Sequence, residues 1–258
     1  TKEGKGMNLL FLLSIILFLL MVMVGGTKGI RAFFSLCMNF LVILVTVFFM
    51  LNGDLNVIVI TLVSCTIISI INLFYTNKVN IRTITAFIST ITTVFILLLF
   101  ISFMTKYAMI QGFGEEETDE ISGYSLYIGV DFVKIATSVI IMSTIGAIMD
   151  VAISISTSMH QIVSYHPFVP KKDLFRSGLN IGRDILGTDT NTLFFAFFGS
   201  YLSLLIWFKD LAYTIGEILN AKVFAAQILM IFSAGIGIAL IIPICASINT
   251  YVLMRERD

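Results

Sequence analysis

Charged residues are scarce in this sequence. Asp, Glu, Lys and Arg make up 12% of its 258 residues, whereas charged residues make up about 25% of a soluble globular domain. The hydrophobic fraction is 58% and the mean hydropathy is +1.00. A water-soluble fold has no place for so many apolar side chains. The composition therefore excludes a soluble enzyme and predicts an integral membrane protein surrounded by lipid, with no nucleic-acid partner.

Proline, histidine and cysteine are also rare, with 3, 2 and 3 residues. Few prolines are compatible with long helices, and helices satisfy every backbone hydrogen bond inside a bilayer. Cys37, Cys65 and Cys245 lie in apolar runs without paired spacing and are interpreted as small buried hydrophobic residues. No CxxC, HExxH, Walker-type or GxSxG motif occurs, so no enzymatic activity, metal or cofactor is predicted.

Apolar residues are grouped into seven runs, each close to or above the ~20 residues that a helix needs to cross a membrane. The predicted fold is an all-α membrane protein with about seven transmembrane helices. Four lie within residues 7–106, an acidic extracytoplasmic loop occupies 107–134, and three lie within 135–258. Residues 1–6 are interpreted as an expression remnant. The runs are Asn8–Val24, Ala32–Leu51, Leu55–Tyr75, Thr83–Thr105, Ile135–Ile162, Ile185–Phe208 and Val223–Met254.

The distribution of Lys and Arg predicts the orientation. With the N-terminus outside, 10 of the 16 basic residues fall in inner segments and 6 in outer ones, two of which belong to residues 1–6. The acidic run between Glu115 and Glu120 then lies outside. The positive-inside rule thus favours an outside N-terminus and a cytoplasmic C-terminus in a bacterial plasma membrane. The inner residues are Lys28, Arg31, Lys78, Arg82, Lys171, Lys172, Arg176, Arg183, Arg255 and Arg257.

An amphipathic cytoplasmic helix is predicted near residues 170–182. Pro170 suits the first turn of a helix. Leu174, Phe175 and Leu179 share one face and are interleaved with basic residues. This pattern is typical of a helix that lies on the inner membrane surface.

The second half of the chain carries an acid inside an apolar run. Asp150 lies about fifteen residues into the fifth run, about 22 Å of helix from its outer end. An aspartate near mid-helix costs about 2.5–3.5 kcal/mol on insertion scales, and intramembrane acids are usually functional. Asp150 is therefore predicted to bind and release a proton. The alternative is a capped carboxylate that only fixes helix packing.

The sixth run supplies polar groups at a comparable depth. Asp189, Asn191 and the nearby threonines supply hydrogen-bond donors and acceptors, and Asp150 and Asp189 are expected to face each other. Repulsion between two close carboxylates would favour proton uptake by one of them. The predicted path consists of Asp150, Asp189, Asn191, Thr188 and Thr192.

Two further groups of residues are singled out. Arg183 and Asp184 lie nearer the inner interface, where Arg183 is expected either to act in gating or to pair with Asp184 or a lipid phosphate. Small residues allow close helix approach, which predicts packing roles for Gly146, Gly187, Gly235 and Gly237.

Two segments carry a resemblance to a known family. They are GAIMDVAISISTSM at Gly146–Met159 and RSGLNIGRDILGTDTNTLFFAFFG at Arg176–Gly199. The chain resembles the YibE/F family of bacterial multi-pass membrane proteins, and is more similar to the shorter, YibF-like member. The resemblance implies a longer, YibE-like partner subunit, or else a homo-oligomer. It implies no settled biochemical function.

A weaker resemblance links the second half to one half of a resistance–nodulation–division (RND) transporter. The resemblance rests on three features: GxxxD from Gly146 to Asp150, an amphipathic cytoplasmic helix, and a Thr-rich returning helix at Thr188–Thr192. The large extracytoplasmic domains of that superfamily are missing, so the likeness concerns the fold alone. It implies two half-units assembled face to face.

These observations favour a subunit of a bacterial transporter or permease, driven by the proton gradient through Asp150. The competing hypothesis is a membrane scaffold, or a surface receptor for a peptide or an assembly factor. Only the transporter requires Asp150 to change its protonation state during function.

Overall fold

The computed structural model describes residues 3–51, 55–110, 112 and 131–255 of the chain, and within these ranges its regular structure is helical. The predicted all-α membrane fold is confirmed. The predicted acidic loop residues Glu115–Glu120 lie outside the described ranges. The helices are α1 (Glu3–Met50), α2 (Val57–Ile70) with a π-helical turn directly after it (Ile71–Tyr75), α3 (Ile81–Ala108), α4 (Phe132–Tyr165), α5 (Lys171–Ser200), α6 (Leu202–Asp210), α7 (Ile215–Asn220) and α8 (Lys222–Arg255).

Helix α1 folds back on itself at Gly26. This glycine adopts φ 54°, a left-handed conformation inside an otherwise helical segment. The rings of Phe18 and Phe33 lie 4.9 Å apart, whereas fifteen residues of straight helix would separate them by about 22 Å. The backbone of Gly29 packs directly against the Met21 carbonyl, leaving no space for a side chain there. Two antiparallel arms result.

The number of crossings depends on how α1 and α5 are counted. By length and composition, five of the described helices are able to cross a membrane. The number is six when α5 and α6, which meet at a bend of 50°, form one span. The sequence prediction of about seven instead treats Asn8–Val24 and Ala32–Leu51 as separate crossings, and these are the two arms of α1.

The predicted amphipathic helix near 170–182 is the first part of α5, and the predicted sixth span continues from α5 through a bend into α6. The position of the amphipathic part on the inner membrane surface stays a prediction. The apolar face of the first half of α5 packs on α4 and α8. Leu174, Gly178 and Gly182 are buried. A Cβ on Gly178 would lie 2.6 Å from Met159 Sδ of α4, and one on Gly182 would collide with Ile242 of α8. This close contact fixes the first half of α5 against α4 and α8.

Helices α3, α4 and α8 form the centre of the bundle, and α2 and α5 pack on its sides. The central helices bury the largest apolar side chains, whereas the arms of α1 contact mainly α2 and the π-helical turn. Most of the described α1 side chains are exposed, as expected for lipid contact. Cys65 and Cys245 are buried as predicted, but Cys37 is exposed because it belongs to this peripheral helix.

A buried polar network joins the three central helices. Thr85 Oγ1 of α3 donates to Asn249 Oδ1 of α8 at 2.8 Å. Asn249 Nδ2 donates to Ser156 Oγ of α4 at 2.9 Å. Cys245 Sγ lies 3.3 Å from the same Ser156 hydroxyl. Since helices in lipid gain little from apolar burial, such interhelical hydrogen bonds fix which faces meet.

Candidate functional site

Asp150 lies on the surface of the isolated chain rather than in its core. It is the nineteenth of the 34 residues of α4, close to the middle of the helix. Gly146 and Ser154, one turn before and after it, are exposed on the same face. No ion-pair partner for Asp150 is present in the described parts of the chain. An acid at this depth usually faces a cavity or another protein segment, so its surroundings determine its role.

The Asp150 side chain lines a cleft of about 310 Å³ between α4, α1 and the π-helical turn. The cleft runs from mid-helix in α4 to the residues that follow the π-helical turn. Its wall is polar on the side formed by the turn. The lining residues are Ala32, Ser35, Asn72, Thr76, Asn77, Gly146, Met149 and Asp150.

Asn72 organises the polar wall of this cleft. Its Oδ1 accepts hydrogen bonds from Ser35 Oγ and from Asn39 Nδ2, both at 3.0 Å. Its backbone carbonyl accepts a weaker bond from Asn77 Nδ2 at 3.4 Å. Asn72 also lies within the π-helical turn Ile71–Tyr75. A π-helical turn within a helix often marks a functional site, because its widened backbone changes the direction of side chains and carbonyls.

Asp189 lies close enough to Asp150 for the charges of the two carboxylates to interact. Asp189 is half-buried and lies seven residues, or about two turns, beyond the buried Gly182 on the same face of α5. The two acids of the predicted path therefore lie within electrostatic range of each other. Within the described residues no hydrogen bond joins their side chains.

The other residues of the predicted path lie elsewhere. Asn191 is two residues from Asp189, or about 200° around the helix. Asn191, Thr188 and Thr192 are exposed. Thr192 Oγ1 donates to the Thr188 carbonyl of its own helix at 2.9 Å. In the described chain these three residues lie on a different face of α5 from Asp189, and their place in the proton or substrate path stays a prediction.

Arg183 and Asp184 are also exposed on α5. Arg183 Nη1 donates to Asn180 Oδ1 at 3.5 Å, within its own helix. The described residues show no ion pair between Arg183 and Asp184. Together with residues one and two turns further on, they form a polar surface that we term the α5 outer face. It comprises Arg183, Asp184, Gly187, Thr188, Asn191 and Thr192.

The predicted packing glycines fall into two groups. A Cβ on Gly237 would lie 2.8 Å from Leu97 Cδ1 and 3.0 Å from Ile148 Cδ1, and one on Gly235 would lie 3.5 Å from Thr190 Cγ2. Around Gly146 and Gly187 no heavy atom of the described chain lies within 4 Å of that position. Gly237 therefore packs helices inside the chain, whereas Gly146 and Gly187 leave open space.

A family model for YibE/F-like proteins matches residues 13–255. The chain belongs to the YibE/F-like family. The match includes the first half of the chain as well as the two segments that carry the sequence resemblance. No curated protein and no solved structure matches the chain, so the likeness to half of an RND transporter stays a prediction.

The match to the YibE/F-like family includes the polar wall that the sequence interpretation missed. Ser35 and Asn72 lie within the first four predicted spans and line the cleft, and Asn39 of the second predicted span donates to Asn72. Asn39 and Asn72 are amides in the interior of apolar runs, and this signal was present in the sequence. Among the described residues, no three His, Cys, Asp or Glu side chains converge for a metal ion.

Proposed function

We propose that this YibE/F-like chain is a subunit of a bacterial plasma-membrane transporter or permease, with Asp150 as the group that takes up and releases a proton. The observation that carries the proposal is the position of Asp150. Its carboxylate lies midway along a membrane-spanning helix and opens on a polar cleft of about 310 Å³. An acid in this position marks a substrate or proton path in membrane proteins.

The nearby Asp189 supports proton coupling. Two ionised carboxylates repel more strongly in a low-dielectric membrane interior than in water. Since the charge of Asp189 reaches Asp150, protonation of either one relieves the repulsion. A change in hydration of the cleft would then be linked to proton binding.

The α5 outer face supports assembly with another subunit. Arg183, Asp184 and Asn191 are polar, and lipid contact is unfavourable for such groups. Gly187 leaves room for the close approach of a second helix. We propose that this face is covered by a YibE-like partner subunit or by a second copy of the chain.

The second candidate function is a membrane scaffold or a surface receptor for a peptide or an assembly factor. The exposure of both Asp150 and the α5 outer face favours it, because a partner helix would satisfy these groups without any transport. Among the residues that the structure describes, no constellation supports an enzymatic role, and we propose none.

Replacement of Asp150 separates the two functions. Asp150→Asn keeps the shape and hydrogen-bonding capacity but carries no titrating proton. We expect this variant to reach normal membrane abundance yet fail to restore the phenotype of a gene deletion, whereas Asp150→Glu restores part of it. Asp173→Asn, which makes the same change at an exposed position in the first turn of α5, is the matched control. Full restoration by Asp150→Asn would favour the scaffold.

A further inference from the structure

We propose that the cleft between α1, the π-helical turn and Asp150 binds a monovalent cation. The proposal deepens the proposed function and rests on it, because it names the ion class that the transporter would couple to its cycle. Binding is nevertheless measurable in the purified chain without any transport.

The charge of the cleft matches a single positive charge. Asp150 is the one charged residue among those that line it. Arg31 and Lys78 each neighbour a lining residue in sequence, but neither belongs to the lining. Asp189 adds a second carboxylate within electrostatic reach. A divalent ion such as Ca²⁺ prefers 6–8 oxygen ligands from several carboxylates, whereas one lining carboxylate with neutral oxygens suits a monovalent cation.

Two side chains of the cleft lining offer free oxygen acceptors. Ser35 Oγ donates its one hydrogen to Asn72 Oδ1, so its lone pairs are left to accept. The Asp150 carboxylate accepts no hydrogen bond from the described residues. Asn72 Oδ1 already accepts from Ser35 and Asn39, so Asn72 positions the wall rather than serving as a ligand through this oxygen. A carboxylate and a hydroxyl oxygen are ligands that suit a hard cation.

The π-helical turn adds to this environment. Residues Ile71–Tyr75 interrupt the α-helical hydrogen-bond pattern beside the cleft. Interrupted membrane helices bind monovalent cations through backbone carbonyls that regular helices keep paired. Thr76 adds a hydroxyl to the lining directly after the turn.

The volume allows two sources of positive charge. A cleft of about 310 Å³ holds an alkali ion with several waters, each occupying about 30 Å³. It also holds the protonated amino group of a small amine. Both present one positive charge to Asp150, and direct comparison distinguishes them.

Thermal unfolding of the purified full chain in detergent provides the test. Sodium, potassium, methylammonium and choline chlorides are titrated at constant total ionic strength, with choline as the bulky reference. At ten times the dissociation constant, we expect a saturable rise in Tm of about 3–5 °C over choline. Asp150→Asn should abolish the rise and Thr76→Val should raise the half-saturating concentration several-fold. Asp173→Asn should behave as the parent chain.

Each outcome has a defined meaning. A rise with sodium or potassium identifies an alkali-ion site, and a rise with methylammonium alone identifies an amine site. Equal Tm values in all four salts would overturn the proposal, as would an unchanged rise in both Asp150→Asn and Thr76→Val. If Asp150→Asn does not fold, the proposal is tested by the effect of Thr76→Val on the Tm rise and by direct binding of radioactive sodium to the parent chain. If no cation binds but Asp150→Asn still fails to complement the gene deletion, the cation site is refuted and the proposed proton-coupled transport stands. If a cation binds but Asp150→Asn complements fully, the cation site stands and the proposed coupled transport is refuted.

Discussion

Asn72 and Asp150 line the same cleft, although they belong to different halves of the sequence. The Asn72 side chain is held by Ser35 and Asn39 of α1, so α1 and the π-helical turn together determine its position. The acid singled out by the sequence therefore shares its cleft with polar residues of the first half of the chain.

Substitutions of Ser35 and Asn72 should have coupled effects on the free energy of unfolding, because the two side chains share a hydrogen bond. Asn72→Ala leaves Ser35 Oγ and Asn39 Nδ2 without their shared acceptor. We expect a loss of about 1–3 kcal/mol in the free energy of unfolding. Because Ser35→Ala removes one partner of the same bond, the double variant should lose less than the sum of the two single variants. Reversible unfolding in detergent measures this cycle, and strict additivity would show that the bond contributes nothing.

Replacement by leucine should affect stability at Gly237 but not at Gly146. A Cβ on Gly237 would lie 2.8 Å from Leu97 Cδ1, so Gly237→Leu should destabilise the chain by about 1–3 kcal/mol or prevent folding. Gly146 has open space, so Gly146→Leu should leave the Tm of the isolated chain within a few degrees. It should nevertheless weaken copurification with a partner subunit or a tagged second copy. Unchanged copurification of Gly146→Leu would argue against its role in assembly.

Cysteine labelling should show an outside N-terminus and a cytoplasmic C-terminus. Cys37 is exposed, whereas Cys65 and Cys245 are buried, so a Cys37→Ser background removes the accessible native thiol. In that background Thr118→Cys should react with an impermeant maleimide in intact cells, and Lys172→Cys should react only after lysis. The basis is the bias of Lys and Arg towards the inner segments. Labelling in the reverse pattern would invert the topology.

The buried network between α3 and α8 should contribute a modest stability. Thr85 Oγ1 donates to Asn249 Oδ1 at 2.8 Å, and such interhelical bonds contribute about 0.6 kcal/mol on average in membranes. We expect a coupling of this order between Thr85→Val and Asn249→Leu. Thr92→Val is the matched control, since its hydroxyl is exposed and bonds only to the Ile88 carbonyl of its own helix. Equal losses for Thr85→Val and Thr92→Val would contradict the structural role of the network.

The candidate site was predictable in part. Asp150 could be identified because an acid in an apolar run is costly and hence informative. Asp189 could be placed near it because both lie at comparable depths. Asn191, Thr188 and Thr192 were assigned to the same path by depth alone, and the orientation of α5 turns them outward. That orientation follows from Gly178 and Gly182, which pack against Met159 and Ile242.

The sequence by itself determined that this protein is helical, lies in a membrane and belongs to the YibE/F-like family. Composition and run length are sufficient for the first two, since a bilayer admits few backbone structures. Only the tertiary structure decided that α1 folds back at Gly26 and that Asp150 shares a cleft with Asn72. Hydropathy indicates which segments are apolar enough to lie in lipid. It does not report which helix faces meet, because that depends on close packing and hydrogen bonds between residues far apart in the chain.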